Sequence, residues 1–361
     1  MNYSVLHIIT TIDLGGAEKQ LLALATKQRE EGHHIQVIFL KGNPKLLDSF
    51  LRAGIDVDQS ISRVCFLRQL VILKRRTRPR NQVIHAHLPR AELLSALIFE
   101  AKSFIVTRHN SEAFFPKGPK KVSQFLSKFV LKRAFASISI TKTVREFLLT
   151  SGELASPQNN HVIYYGLKDT NVKKRGKSEN ESFHLGTVSR LVLQKNIPLL
   201  LESMKHLIAR SPRRFRLSIV GTGPLALELK SLSLKLGIGE VVDFRGPCHD
   251  IETFYQSLDA FALSSDYEGF GLVLLEAMSQ GVPIIARRVS AIPEVLGHHH
   301  PGLVDSNNSS DFASKISEIL GTRSLLEKCL KYQAQRLQHF SIDKTQAHHQ
   351  LIYHRLIRQG R

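Results

Sequence analysis

Two carboxylates, Glu268 and Glu276, stand eight residues apart around a Gly-Phe-Gly turn in the run Ser265 to Pro283. The apolar residues before it, Phe261-Ala262-Leu263, read as a strand, and the apolar-rich segment after it reads as a helix. A glycine turn at such a junction presents free backbone N–H groups at the positive end of a helix dipole, a seat for phosphate. Acids on either side are poor phosphate ligands but good acceptors for sugar hydroxyls. The ligand this implies is part phosphate, part sugar.

Three more features fall at strand ends of the same half. Arg190 and Lys195, in Ser189 to Asn196, can reach one pyrophosphate, Arg as a fork and Lys as a point charge. Spacing alone equally allows two surface cations. Gly221-Thr222-Gly223-Pro224-Leu225-Ala226 fits a dinucleotide fingerprint or a simple tight turn, with Pro224 suited to a first helical turn. Phe244-Arg245-Gly246-Pro247 ends a further strand and can border a base pocket. Parallel α/β sheets bind ligands at the carboxyl ends of their strands, where all four features lie.

The elements that must position these residues alternate. Val5–Thr10, Ile35–Phe39, Val83–Ala86, Phe104–Val106, Ser137–Ile140 and His161–Tyr164 read as buried strands, with helical periodicity in Ala17–Glu31, Glu92–Lys102 and Val144–Ser151. A polar stretch from Lys168 to Asn180 interrupts the pattern, which restarts with strands at His184–Val188, Arg216–Val220, Val241–Phe244, Ala260–Leu263 and Pro283–Ala286. Helices are expected between them at Ile197–Ala209, Ala226–Leu236, Ile251–Ser257 and Leu272–Gln280. The expectation is an α/β chain of two Rossmann-like domains. They span 1–168 and 183–335, with a linker at 169–182 and a final helix at 336–361 packing back on the first domain.

With 361 residues and 42% hydrophobic content the chain can bury two cores. No apolar run approaches the roughly eighteen residues of a membrane span. The N-terminal Met1 to Ile9 reads as a strand, not a signal peptide. Cys65, Cys248 and Cys329, odd in number and far apart, suggest neither disulfides nor zinc, hence a cytosolic protein. The net charge of +19, of which residues 1–166 carry +12, calls for an anionic partner. Membrane, nucleic acid and phosphorylated substrate all satisfy it.

The motifs together resemble the retaining GT-B glycosyltransferases of family 4, over nearly the whole length. The family's glutamate pair with seven intervening residues is matched by Glu268 and Glu276, and its R-x-x-x-x-K pair by Arg190 and Lys195. The resemblance implies two Rossmann-like domains facing each other across a cleft. It gives Glu276 the nucleotide ribose, and Glu268 with the backbone of Phe270, Gly271 and Leu272 the donor sugar. Arg190, Lys195 and the Gly271–Val273 N–H groups would take the diphosphate. Gly221-Thr222-Gly223-Pro224 matches the family's G-x-G-P turn, placing Gly223, with Gly246, among the donor contacts. In the first domain Asp13-Leu14-Gly15-Gly16-Ala17-Glu18 resembles the family's glycine loop, where Gly15 and Gly16 let backbone approach the donor phosphate. Val83 to His87 and Thr107 to Asn110 match two strand ends, and His109 aligns with the histidine near the reacting sugar carbon. The family's Asn-Gly-hydrophobic-Asp is replaced by Tyr165-Gly166-Leu167-Lys168-Asp169, a departure at the expected hinge.

Other signals carry less. Asp56-Val57-Asp58 spells a metal-binding D-x-D but sits at a strand entry, and His298-His299-His300 and His348-His349 lack metal-site spacing and are expected to face solvent. No metal set is expected. Pro119 to Phe135 mixes cations with Phe and Leu at helical spacing, which suits either an anionic bilayer or a core-facing helix, and Lys74 to Arg80 can extend its charge.

The expected function is metal-independent hexosyl transfer with retention, from a UDP- or GDP-linked sugar to an acceptor hydroxyl in lipopolysaccharide, capsule or lipid-linked glycan assembly. No cofactor is expected beyond that co-substrate, and no nucleic acid. The location expected is cytoplasmic, peripheral on the inner face of the membrane. An NAD-dependent oxidoreductase, suggested by Gly221 to Ala226, lacks a catalytic set. A basic RNA-binding protein is disfavoured by 7% aromatic content and the absence of Trp.

Overall fold

The computed structural model describes residues 2–75, 82–172, 182–248 and 250–359. The chain divides into two compact units, Met1–Lys168 with Phe340–Arg361, and Asp169–His339. Each is built on one parallel sheet.

The first unit contains β1 (Ser4–Ile9), β2 (His34–Phe39), β3 (Asp56–Asp58), β4 (Gln82–His87), β5 (Phe104–Arg108), β6 (Ala136–Ser139) and β7 (Asn160–Val162). Their order is β3-β2-β1-β4-β5-β6-β7, every pair parallel. Strands buried on both faces usually read as near-continuous apolar runs; β1 and the start of β5 do so, while β4 alternates Val83, His85 and His87 on one face. One face packs Val5, Ile9, Val83 and Ile105 with Leu21 and Ala25 of helix Gly16–Glu30 and Tyr353 of helix Ile342–Gln359. The other packs Leu6, Ile8, Ile84 and Val106 against helices Pro89–Ile98 and Lys120–Arg133.

The second unit contains β8 (Ser182–Val188), β9 (Arg214–Val220), β10 (Val242–Gly246), β11 (Ala260–Leu263), β12 (Ile284–Arg287) and β13 (Leu303–Val304). The order is β10-β9-β8-β11-β12-β13, again parallel. Leu185, Leu217, Ile219 and Ile285 form its core with Leu200, Met204 and Phe312.

The sequence reading missed helices Leu47–Arg52, Phe66–Arg75, Ile292–Leu296 and Ser309–Gly321 and the two-residue strand β13. The long C-terminal stretch is two helices, Arg323–Leu337 in the second unit and Ile342–Gln359 in the first. Where the chain returns, Leu167 pairs with Ser341 in a parallel bridge flanked by Leu167 N–H to Phe340 O (2.8 Å) and Ile342 N–H to Leu167 O (2.8 Å). Ser182, expected to close the linker, opens β8, while 173–181 lies outside the described residues. So do 76–80 of the basic run. The expected solvent exposure of both histidine runs fails at His300 and His349, which are buried. Helix and turn packing, not composition, decides those two positions.

Candidate active site

In an open parallel sheet a crevice forms where the chain order reverses. In the second unit that point lies between β8 and β11, whose following loops hold Arg190 with Lys195 and Ser264 to Gly271. Asn196, left-handed at φ 43°, caps helix Ile197–Arg210 by accepting from Leu199 N–H, with Pro198 in the first turn. The cap also donates from Nδ2 to Asp266 Oδ1 (3.0 Å), and Gln194 Nε2 donates to Tyr267 O (2.8 Å). Ser264 Oγ completes the lacing by donating to Lys195 O (2.9 Å). The two loops are thus one hydrogen-bonded body.

At its centre Lys195 Nζ lies 2.6 Å from Glu268 Oε1, both side chains largely buried. Ser265 Oγ donates to the same oxygen (2.7 Å), and Ser290 Oγ to the Glu268 carbonyl (2.8 Å). Oε2 of Glu268 has no partner among the described residues, so it remains an acceptor for a ligand hydroxyl. Arg287 of β12 pairs with Asp266 and steadies the loop from the other side. Two residues given separate jobs by the resemblance, Lys195 and Glu268, therefore form one ion pair. Arg190, on the same loop, is exposed and has no ion-pair partner among the described residues.

Gly271, at φ 83°, starts helix Leu272–Ser279; Leu274 N–H donates back to Gly271 O (2.8 Å), and the N–H groups of Leu272 and Val273 come too early in the helix for an i−4 acceptor within it. Phe270 is buried, so its contribution to a ligand is backbone. Glu276 sits one helical turn in, and Tyr255 Oη, itself buried, donates to its Oε2 (2.9 Å). Burial and the adjacent Glu276 hold the Tyr255 phenol protonated, well above its ordinary value.

The turn after β9 has a packing reason for its glycines. A Cβ on Gly221 would meet Ser189 O at 1.9 Å, and one on Gly223 would meet Leu191 O at 2.3 Å. Leu191 N–H donates to Thr222 O (2.9 Å), so this turn supports the Arg190 loop. Gly246, at φ 67°, faces open space at the neighbouring strand end.

In the first unit the order reverses between β1 and β4. Gly15 is the N-cap of helix Gly16–Glu30, and the buried Glu18 carboxylate folds over it, accepting from Thr11 Oγ1 (2.7 Å). Gly16 has open space where a side chain would be. His109 follows β5 and uses both ring nitrogens, Nδ1 with Tyr165 Oη (2.5 Å) and Nε2 with His87 Nδ1 (3.2 Å). Asp56, held by Gln36 (2.5 Å), and Asp58, which caps Ser60 (2.8 Å), sit on edge strand β3 where alternate residues point to opposite faces.

His7, His85 and His87 bring ring nitrogens within 4.8 Å of one another, a grouping the sequence reading did not find. All six of those nitrogens already share hydrogen bonds, so a cation would have to displace the network. Sequence reasoning also missed Tyr255, Ser265, Ser290 and Arg287. Only the positions of Ser265, Ser290 and Arg287 at or just beyond strand ends hinted at a role.

Two Rossmann-like domains, each a parallel sheet with interleaved helices, are the architecture of the GT-B class of glycosyltransferases. The family described as Glycosyltransferase Family 4 matches residues 14–170, and Glycosyl transferases group 1 matches 168–336. A D-inositol 3-phosphate glycosyltransferase of Streptomyces bingchenggensis is 30% identical over 41% of this chain and 35% of that protein. The lipopolysaccharide core biosynthesis mannosyltransferase LpsB of Rhizobium meliloti is 28% identical over 81% of this chain and 79% of its own. The chain spans 35%, 34% and 45% of the first three curated relatives it matches. In fold it is similar to HepE of Anabaena, solved in complex with UDP-glucose, with TM-score 0.80 and 20% identity over 98% of this chain and 99% of that one. The chain belongs to the group 1 glycosyltransferases of GT-B fold.

Proposed function

We propose that this glycosyltransferase moves a hexose from a UDP- or GDP-linked donor to an acceptor hydroxyl with retention and without a metal ion. The observation that carries the donor reading is the Lys195–Glu268 pair beside the start of helix Leu272–Ser279. As the glycosidic bond lengthens, negative charge grows on the diphosphate, where Lys195, Arg190 and the Gly271–Val273 N–H groups stabilise it. Glu268 holds the ammonium in place and offers its other oxygen to the sugar. Glu276, oriented by Tyr255, takes the ribose. With no protein nucleophile in this reading, the acceptor attacks from the leaving-group face and the departing phosphate takes its proton. Gly15, Gly16 and His109 keep the roles the resemblance gives them. Gly223 and Gly246 border the base.

The acceptor in this reading is a lipopolysaccharide or lipid-linked glycan, in keeping with the printed roles of LpsB and of a colanic acid biosynthesis relative from Salmonella typhimurium. One face of the first unit supports reading the protein as peripherally attached to an anionic cytoplasmic membrane. Helices Phe66–Arg75, Pro89–Ile98 and Lys120–Arg133 lie side by side and expose Leu67, Val71, Ile72, Leu97, Val122 and Phe125. The outer two carry three and five cations and no acid. That mixture suits anionic headgroups over acyl chains. No described helix is long and apolar enough to cross a membrane.

The test is a donor panel with purified protein. UDP or GDP and their hexoses should raise its melting temperature, and Lys195→Ala and Glu276→Ala should each lower transfer by about 10²-fold or more while the fold persists. Full activity in either variant refutes the donor site. Loss of turnover in EDTA, restored by Mg²⁺ or Mn²⁺, refutes metal independence.

A further inference from the structure

Polar residues rarely line the middle of a buried parallel sheet, yet β1, β4 and β5 place His7, His85, His87 and Thr107 on one face. The parallel register pairs His7 with His85 and His87 with Thr107, and helices Gly16–Glu30 and Ile342–Gln359 cover that face. All four residues are buried, as are Gln28 and Tyr353 from the covering helices. Such groups persist only when every donor meets an acceptor.

The hydrogen bonds run as a chain with a direction. Gln28 Oε1 is 2.9 Å from His7 Nε2, and an amide oxygen only accepts, so His7 carries its proton on Nε2. Its Nδ1 must then accept, and His87 Nε2, 3.0 Å away, must donate. His87 Nδ1 in turn accepts from His109 Nε2 (3.2 Å), leaving His109 Nδ1 to accept from the Tyr165 hydroxyl (2.5 Å). The other end of the same amide agrees. Gln28 Nε2 points to Tyr353 Oη (3.5 Å), Tyr353 donates to His85 Nδ1 (2.7 Å), and His85 Nε2 donates to Thr107 Oγ1 (2.7 Å). One side-chain amide thus orders four imidazoles.

We propose that Tyr165, His87, His7 and Gln28 are positioning residues that hold His109 as the neutral tautomer protonated on Nε2, with Nδ1 accepting from Tyr165. The inference rests on the reading of His109 as a residue beside the reacting sugar. It also gives the departure from the family pattern at Tyr165 a purpose. With both ring nitrogens engaged, His109 acts through its fixed orientation and its neutrality, not as a freely titrating base. Burial supports that neutrality by pushing the His109 imidazole down to about 3, with His349 and Arg108 adding to the effect. Beside the chain a cavity of about 20 Å³, lined by Thr107, His109, Tyr165, His349 and the unpartnered amide nitrogen of Gln20, has room for one water.

The experiment is two-bond ¹H–¹⁵N correlation on the full-length, histidine-labelled protein at neutral pH, with His109→Gln assigning the resonance. The wild type should show His109 protonated on Nε2. Gln28→Met, which does not touch His109, and Tyr165→Phe should both shift its ring nitrogens, and Gln28→Glu, which keeps the accepting oxygen, should restore the wild-type tautomer. In transfer assays Gln28→Met and Tyr165→Phe should lower kcat by about tenfold or more with KM for the donor unchanged, since losing the group that orients a catalytic imidazole costs up to about 10⁴-fold in hydrolase triads. A proton on Nδ1 of His109 in the wild type, or an unchanged His109 signal in Gln28→Met, overturns the relay. The spectra need no turnover, so a failure of the glycosyl-transfer reading would leave them standing.

Discussion

The two units of this chain bury their polar groups in opposite ways. Around β1, β4 and β5 the first unit encloses imidazoles, hydroxyls and one amide, all neutral and hydrogen-bonded end to end. At the β8 and β11 ends the second unit gathers charge, Lys195 on Glu268 and Arg287 on Asp266. Neutral groups can go deep because a completed hydrogen bond cancels most of their desolvation cost, whereas ions pay more and are buried here only in pairs. A chain of neutral side chains whose donors are all used can order a neighbour but has none left for an anion. A largely buried cation keeps its charge for one. The difference separates positioning from electrostatic work.

The largest effect that could break this contrast is acid. Burial lowers His7 and His349 to about 4 and His109 to about 3, and holds His85 and His87 well below their ordinary 6.5. A histidine whose folded value is depressed stays neutral in the fold while the unfolded chain takes up the proton. Stability is therefore lost as pH falls from about 6.5 towards 4. At 1.36 kcal/mol per unit, His7 alone accounts for about 3 kcal/mol. Glu92, raised from 4.5 to about 7 mainly by burial, has the opposite sign, its stabilisation fading as pH rises through that window. Its contact with Arg108 is close, 3.0 Å, but makes no aligned hydrogen bond, so the pair recovers little of the burial cost. Five imidazoles outweigh one carboxyl. Urea unfolding at pH 7 and pH 5 should show the first unit's transition moving sharply down and the second's, with His184 and His300 as its depressed histidines, moving less. Equal shifts would erase the contrast.

A smaller effect probes the outer surface, where the contrast reverses and the first unit is the more cationic. Phe125→Glu should weaken sedimentation with vesicles of anionic phospholipid by about tenfold, from lost apolar insertion and an added like charge. Transfer to a water-soluble acceptor should be unaffected. Unchanged sedimentation would mean the exposed ridge serves another purpose.

The smallest concerns orientation in the charged unit. Tyr255→Phe removes the phenol that donates to Glu276 and should raise KM for the donor a few-fold while leaving kcat near wild type, the loss of one hydrogen bond to a charged group. A fall in kcat with KM unchanged would move Glu276 from nucleotide binding to the chemical step.

How much of this could be read from sequence differs between the units for the same reason. Glu268, Glu276, Arg190 and Lys195 lie in two short loops, and their spacing around strand-to-helix turns is local information. The alternation of strands and helices is local too, so both sheets were legible apart from the two-residue β13. The imidazole chain is not local. Gln28 and Tyr353 meet across 325 residues, and His85 meets Tyr353 across 268. His-Ala-His in β4 looks like simple alternation until β1 and β5 are laid beside it in register. Tyr165 stood out only as a mismatch to a family pattern. Tyr255 had no signal at all, because its partner is set by the packing of helix Ile251–Gln256 against helix Leu272–Ser279.

The central claim is that Lys195 and Glu268 act as one unit in stabilising a departing diphosphate. A double-mutant cycle on kcat/KM for the nucleotide sugar, with Lys195→Met, Glu268→Gln and the double variant, tests it. Residues acting as a unit give strongly non-additive losses, so the double variant should match Lys195→Met within about threefold. Full turnover in Lys195→Met, or losses that multiply in the double variant, would contradict the account.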